Sequence, residues 1–170
     1  MLEQSAETVQ NIWMSDADLP SIPQIYVDAD ACPVKDEVLR VATRHGLRVH
    51  MVSNSWMRLA DNPLINRVVV AAGPDVADDW IAEHIGARDI VITSDIPLAS
   101  RCLKNGAHGI GPTGKPFNED SIGMAVAMRD LMSHLRDTGD IKGGGPAFSK
   151  QDRSRFLSAL ETMVQTAKRG

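Results

Sequence analysis

Short apolar runs that alternate with helical patterns most constrain how this chain folds. Three such runs, at residues 25–27, 68–72 and 90–92, are apolar at consecutive positions. Each leads into a segment whose apolar residues recur at helical spacing. Strands without a polar face need cover on both sides, which is typical of a parallel sheet between two helical layers. The pattern therefore predicts an α/β fold with a mainly parallel sheet and helices on both faces.

The predicted elements fill the chain from residue 25 onwards. We expect strands at residues 25–27, 47–52, 67–72, 90–93 and 107–111, and helices at residues 33–46, 76–85, 97–105, 120–138 and 149–168. Ser149 and Asp152 resemble a capping box at the start of the last helix. Met124, Met128 and Met132 recur at helical spacing in the 120–138 helix, so we expect them in the core.

The first 24 residues differ from the rest of the chain. They carry four acidic residues and no basic ones, and they end in the break Leu19–Pro23. We expect a flexible N-terminal arm at 1–24 and one domain at 25–170, with a Gly-rich link at 140–145. A length of 170 residues suits one such domain.

Several classes of protein are excluded by simple features of the sequence. No apolar run approaches the ~20 residues of a membrane helix. The N-terminus lacks the basic and apolar regions of a secretory signal. Cys32 and Cys102 form no CxxC pair, and the five histidines show no metal-ligand spacing. His50 is expected at an exposed strand position. We therefore expect a cytoplasmic protein without a membrane partner; a homo-oligomer is compatible with the sequence.

Carboxylates gather where three of the predicted strands end. Right-handed crossovers bring these ends to one edge of the sheet, where open α/β sheets bind ligands. The candidate metal ligands there are Asp28, Asp30, Asp75, Asp78, Asp79 and Asp95. Oxygen donors without His or Cys suit Mg²⁺ or Mn²⁺, and such sites are typical of phosphoryl transfer and phosphodiester hydrolysis.

A helix cap is the competing interpretation of each of these aspartates. An aspartate at a strand end commonly forms a turn or caps the next helix. A helix needs one cap, however, and the first and second strand ends offer two or three carboxylates each. Asp79 lies a turn inside its helix, where a favourable charge near the N-terminus is the alternative to a metal ligand.

Polar and basic residues near the same edge are candidate contacts to substrate. They are Lys35, Asn54, Ser94, Arg101 and Lys104. The cations would contact phosphate and Ser94 would orient a phosphate oxygen or a water molecule, whereas solvated helix faces are the alternative for the cations. Trp56 would either stack on a nucleobase or anchor the core.

Three motifs resemble the bacterial YaiI/YqxD family: YVDADACPVK at 26–35, GPDVADDWI at 73–81 and VITSDIPLA at 91–99. The resemblance extends over about residues 25–160. This family is similar to PIN-like domains, which are metal-dependent ribonucleases, so the resemblance implies a three-layer PIN-like fold. It also implies an acidic set of Asp28, Asp75 with Asp78 or Asp79, and Asp95. Asp30 has no assured counterpart, and the Gly-rich link with its terminal helix departs from a typical PIN nuclease.

The residues and the resemblance together predict a metal-dependent nuclease that acts on single-stranded or structured RNA. Asp28, Asp75 or Asp79, and Asp95 would hold one or two Mg²⁺ or Mn²⁺ ions that activate a water molecule. The enzymatic alternative is a phosphatase of the haloacid-dehalogenase type, since Asp28 and Asp30 match its first motif. The order of the remaining motifs does not match that type. A PIN-like module that binds RNA or protein without catalysis is the third interpretation.

The distribution of charge agrees with a nucleic-acid partner, although the formal net charge is −4. When the four acidic residues of the arm and the six candidate ligands are left out, 12 acidic and 18 basic residues remain. Residues 142–170 alone carry six basic and two acidic residues. Basic groups around an acidic metal centre suit a polyanionic substrate, whose binding should weaken as salt rises.

Overall fold

A six-stranded sheet is the middle layer of the computed structural model, which describes residues 22–137 and 148–169. Its strands are β1 (Ile25–Asp28), β2 (Val49–Ser53), β3 (Ile65–Val69), β4 (Ile90–Ile92), β5 (His108–Ile110) and β6 (Pro116–Phe117). Their order is β3-β2-β1-β4-β5-β6, and β6 alone is antiparallel to its neighbour. The predicted α/β class with a mainly parallel sheet is confirmed.

Helices cover both faces of this sheet. They are α1 (Lys35–His45), α2 (Val76–His84), α3 (Ile96–Lys104), α4 (Glu119–Asp137) and α5 (Lys150–Arg169). Buried residues of α1 and α5 share one apolar cluster with alternate residues of β1, β2 and β4. Those of α2 and α3 form a second cluster with the opposite side of β1 and β4. The three layers are consistent with a PIN-like fold.

Local sequence signals fix where several helices begin and end. Gly46 ends α1 in the left-handed conformation, with φ of 67°, and its N–H bonds to carbonyls of the last turn. Ser149 and Asp152 exchange hydrogen bonds between side chain and backbone at 2.9 and 3.1 Å. The predicted capping box at the start of α5 is thus confirmed.

One prediction about burial is wrong, and one of two alternatives is excluded. His50 is only 8% exposed, because it stacks on Tyr26 with ring centroids 4.4 Å apart and bonds to Gln24 and Asn66. Both ring nitrogens have hydrogen-bond partners inside the protein, so the ring can be buried without an unpaired polar atom. Trp56 is 67% exposed, so a role as core anchor is excluded, and the guanidinium of Arg67 lies 5.4 Å from its ring centroid.

The methionines predicted to lie in the core of the long helix are also exposed. The exposed fractions are 75% for Met124, 53% for Met128 and 39% for Met132. The sequence pattern predicts the helix but not the exposure of these side chains. Within the described residues, no other element packs over this apolar face.

Some predictions concern residues without a description. Residues 1–21 of the predicted arm and the Gly-rich link at 140–145 lie outside the described residues. Among the helices of 22–137 and 148–169, none combines the length and the apolar character needed to span a membrane.

The tight turn between β5 and β6 packs closely against the backbone of α5. Substitution of a glycine in this turn tests the close packing. Gly114 has φ of +91°, and a Cβ there would lie 2.8 Å from backbone atoms of Arg155. We expect Gly114→Ala to lower the free energy of unfolding by about 2–4 kcal/mol, through backbone strain and overpacking together. Urea unfolding measures this loss.

Gly123 in α4 supplies the matched control. A Cβ at this position meets nothing within 4 Å. We expect Gly123→Ala to raise the free energy of unfolding by about 0.5–1 kcal/mol, because alanine is the better helix former. Equal effects of the two substitutions would contradict the close approach of this turn to α5.

Candidate functional site

The candidate site lies where the order of the strands reverses. β1 is the pivot: β2 and β3 follow on one side of it, and β4 and β5 on the other. β1 and β4 are direct parallel neighbours, so their carboxyl ends open side by side. Ligands of open α/β sheets bind at such a switch point. Asp28 ends β1, and Asp95 follows β4 by three residues.

One threonine connects these two strand ends. The hydroxyl of Thr93 donates to a carboxylate oxygen of Asp28 at 3.0 Å and accepts from the backbone N–H of Asp95 at 3.0 Å. Thr93 is buried, and its hydroxyl spans the gap between β1 and β4. Asp95 caps α3, because its Oδ1 accepts from the N–H of Leu98 at 2.9 Å. Both carboxylates are therefore held by the protein in defined positions.

A second connection joins the ends of β1, β2 and β3. The backbone N–H of Asn54 donates to the carboxylate of Asp30 at 2.9 and 3.2 Å. The side-chain amide of Asn54 donates to the carbonyl of Ala71 at 3.1 Å. Asp30 is thus engaged by backbone, and Asn54 ties three strand ends together. Arg153 of α5 holds the same loop from the other side through the carbonyl of Pro33, at 2.8 Å.

Asp75 and Asp78 approach the switch point from the start of α2. Asp75 adopts a left-handed backbone conformation with φ of 65°, which is unusual for a residue with a side chain. Its side chain makes no capping hydrogen bond. Burial and the charges of Asp95, Asp28 and Asp75 raise the pKa of Asp78 to about 6. The charges of three neighbouring aspartates therefore act on Asp78.

Asp28 is under the same influence. Burial raises its pKa, the bond from Thr93 opposes this rise, and the nearby charges of Asp95 and Asp30 add to it. Like charges raise carboxyl pKa values when no cation offsets them. The rim of the sheet around Asp28 thus holds an excess of negative charge that a divalent cation would relieve.

Asp79 takes a different position from Asp78. Its carboxylate forms an ion pair with the guanidinium of Arg101 at 2.8 Å. Both side chains are about half exposed. This pair joins α2 to α3, and it engages two residues that the sequence analysis placed among metal ligands and phosphate contacts.

The remaining predicted contacts lie at varied distances from the switch point. The ammonium of Lys35 donates to the carbonyl of Cys32 at 3.0 Å, in the loop that follows β1. Ser94 is exposed directly before Asp95. Lys104 lies in the last turn of α3, about 12 Å along the helix axis from its first residue. Lys35 and Ser94 are thus local to the site, and Lys104 is at the far end of α3.

A pocket of about 450 Å³ opens beside Ser94. Its walls include Pro33, Phe117 and Phe148, and Lys115 contributes a cation. The pocket connects the loop after β1, the segment after β4 and the turn between β5 and β6. The structure thus adds a mainly apolar cavity to the acidic rim.

The acidic side chains do not form a ready metal cage. Within residues 22–137 and 148–169, no group of three His, Cys, Asp or Glu side chains is close enough to hold a metal ion. Mg²⁺ often binds through only one or two carboxylates and retains its water molecules. The all-oxygen donors around Asp28 fit such an ion in kind, and binding requires contributions from water or substrate.

Two features of this site are not predicted from the sequence. The first is the role of Thr93 in positioning Asp28, for which the Thr-x-Asp spacing after a buried strand is the available signal. The second is the pocket with Lys115 and Phe148, because β6 is a two-residue strand without a periodic signal. The tertiary fold alone brings these residues to Ser94.

The raised pKa of Asp78 predicts an effect on stability. An unfolded aspartate has a pKa of about 3.9, so between pH 4 and about 6 the folded protein binds the extra proton. The free energy of unfolding therefore falls as pH rises through this window. In metal-free buffer at pH 8, we expect Asp78→Asn to be more stable than the wild type by roughly 1 kcal/mol, allowing for solvent screening.

Urea unfolding at pH 8 and at pH 4 measures this difference, which should vanish at the lower pH. Asp61→Asn is the control, because Asp61 is an exposed carboxylate before β3, at the opposite edge of the sheet. An Asp78→Asn protein that is no more stable at pH 8 would contradict the electrostatic conflict.

Comparisons with known proteins place the chain in a family. The family model described as "Uncharacterized BCR, YaiI/YqxD family" matches residues 26–166. A "UPF0178 protein" of Parvibaculum lavamentivorans is 68% identical over 146 residues, covering 86% of this chain and 96% of that protein. Relatives from Rhodospirillum rubrum and Agrobacterium fabrum are 58% and 56% identical, covering 86% and 89% of this chain and 99% of each relative. No solved structure matches significantly. The chain belongs to the YaiI/YqxD family.

Proposed function

We propose that this protein is a divalent-metal-dependent nuclease that hydrolyses RNA phosphodiester bonds at the carboxyl edge of the sheet. The observation that carries the proposal is the electrostatic conflict among Asp28, Asp78 and Asp95 at the switch point. Such an arrangement opposes folding unless a cation relieves it, so its presence on a ligand-binding edge favours a functional role.

The donor set favours Mg²⁺ or Mn²⁺ over softer metals. Asp28 and Asp95 are held by Thr93 and by the first turn of α3, and Asp78 faces them from α2. These three carboxylates are the proposed metal-binding residues, with Asp75 as a further contributor. Water molecules or substrate would have to complete the coordination, because no three of the described side chains are close enough to hold one ion directly. When bound, the metal supplies positive charge to a phosphodiester and acidifies the water molecule that attacks it.

The protein's own residues prepare the site for this chemistry. Thr93 fixes one oxygen of Asp28, which leaves the carboxylate oriented without the entropy cost of a mobile side chain. The capping bond does the same for Asp95. Asn54 keeps the loops after β1, β2 and β3 together, so Asp30 acts as a positioning residue in this proposal.

The neighbouring pocket favours a nucleic acid over a small phosphate ester. Phe117 and Phe148 provide apolar walls for an unpaired base, and Lys115 provides a cation for the adjacent phosphate. Ser94 lines this pocket and directly precedes Asp95 in the chain. A single-stranded RNA would thus place one base in this pocket and the phosphodiester to be cleaved beside the neighbouring carboxylates.

Two other functions are outcomes of the same test. In the phosphatase alternative Asp30 would act as general acid, but its carboxylate already accepts the N–H of Asn54. A binding module without catalysis is favoured by one observation, the lack of a ready three-residue metal cluster in the described part of the chain.

The proposal predicts cleavage of end-labelled single-stranded RNA by the purified full-length protein in the presence of Mn²⁺ or Mg²⁺. We expect EDTA to abolish cleavage, and Asp28→Asn and Asp95→Asn each to reduce the rate at least roughly 100-fold, because charge stabilisation is lost. Asparagine keeps the bond to Thr93 and caps a helix as well as aspartate does, so both variants should fold.

Asp61→Asn is the control for the loss of one acidic charge, and it should cleave at the wild-type rate. Cleavage that persists in Asp95→Asn would overturn the proposed metal site. Retention of RNA without cleavage would favour the binding module. Release of phosphate from p-nitrophenyl phosphate, abolished by Asp28→Asn, would favour the phosphatase.

A further inference from the structure

The apolar face of α4 is the largest feature that the proposed function leaves unexplained. Met124, Met128 and Leu131 are 75%, 53% and 50% exposed. Every residue described from 126 to 134 is exposed, so the second half of the helix stands away from the other described elements. Exposed apolar residues in such a row differ from the scattered ones that any soluble protein shows.

The apolar residues of α4 follow a coiled-coil spacing. Met124, Met128, Leu131 and Leu135 are separated by four, three and four residues, which is the a/d pattern of two heptads. We refer to these four residues as the α4 seam. They form one narrow stripe along the helix, flanked by Met132 on one side. Leu135 at the end of the stripe is half-buried, so the exposed part consists of Met124, Met128 and Leu131. Such a stripe fits the stripe of a second helix.

The residues beside the α4 seam carry no charge that would repel an identical helix. The flanking positions hold Ala125, Ala127, Met132 and His134. Asp130 and Ser133 lie on the opposite, polar side of the helix. The two acidic residues of the first turn, Glu119 and Asp120, lie at the N-terminal end, away from the centre of the stripe.

The exposed area is sufficient for a modest interface. With Met132 included, and without Val126, which lies on the Ser133 side of the helix, the exposed apolar side chains of this face amount to roughly 400 Å². Two copies that cover each other would bury roughly 800 Å² of this surface, which is the size of a weak, transient interface. An interface of this size fits a reversible dimer.

We propose that the α4 seam pairs with the α4 seam of a second copy of this chain, in an antiparallel arrangement. The antiparallel orientation places each acidic, positively polarised N-terminal end beside the C-terminal end of the partner helix, where the helix dipoles attract. A two-fold axis then passes near Met128, and Met124 of one copy meets Leu131 of the other. The seam lies within the family match at 26–166, which does not include the predicted arm. This pairing does not depend on the proposed nuclease activity.

Sedimentation velocity of the full-length protein between about 1 and 100 µM tests the pairing. We expect the wild type to shift from monomer to dimer within this range. Met128→Glu should weaken association at least tenfold, because two carboxylates would meet in an apolar contact. Ser133→Glu adds the same charge to the polar side and should associate like the wild type.

A cross-linking variant tests the orientation without disturbing the fold. Cys32 and Cys102 are buried, so Met128→Cys supplies an accessible thiol. A short bismaleimide should link two copies through this position, and Ser133→Cys should not be linked. A wild type that stays monomeric throughout the range, or equal dimer formation by Met128→Glu, would overturn the proposal. So would linkage through Met124→Cys as efficient as linkage through Met128→Cys, which would indicate a parallel pair.

Discussion

The parallel pairing of β1 with β4 is the constraint on which the candidate site depends. Parallel strands end at the same edge, so a carboxylate after each strand arrives beside the other without any long-range signal in the sequence. Thr93 makes this arrangement rigid, because one buried hydroxyl bonds to both strand ends. The same register places Ile25 and Ile90 side by side in the core, so packing and site geometry are fixed together.

The electrostatics of the rim distinguish carboxylates with a structural role from carboxylates that are free to bind a cation. Asp79 is neutralised by Arg101, and Asp30 is bonded to a backbone amide, so each has a sufficient structural explanation. Burial and neighbouring carboxylates raise the pKa of Asp28 and of Asp78, and the charge of Arg101 offsets this rise at Asp78 only in part. Keeping these two carboxylates in this environment destabilises the folded protein, and such destabilising arrangements are typical of sites that bind ligands.

Much of this arrangement could be predicted from the sequence because it depends on local patterns. Apolar runs located the parallel strands, and residues that follow such runs must lie at the carboxyl edge. The choice between Asp78 and Asp79 could not be predicted, since neighbours on a helix point about 100° apart and the sequence does not set the rotation of α2. The exposure of Met128 could not be predicted either, because periodicity identifies an apolar face without identifying what covers it.

The C-terminal helix α5 has a consequence for how the chain folds. Phe156 and Leu160 are fully buried in the cluster that also contains α1, and Glu161 accepts a bond from His45, 116 residues earlier. Contacts between such distant segments form late and slow the folding of a domain. Until α5 arrives, the face of the sheet beneath it remains apolar and open to water. A chain truncated before α5 would therefore expose that apolar surface and aggregate, even though it retains all the carboxylates of the acidic rim.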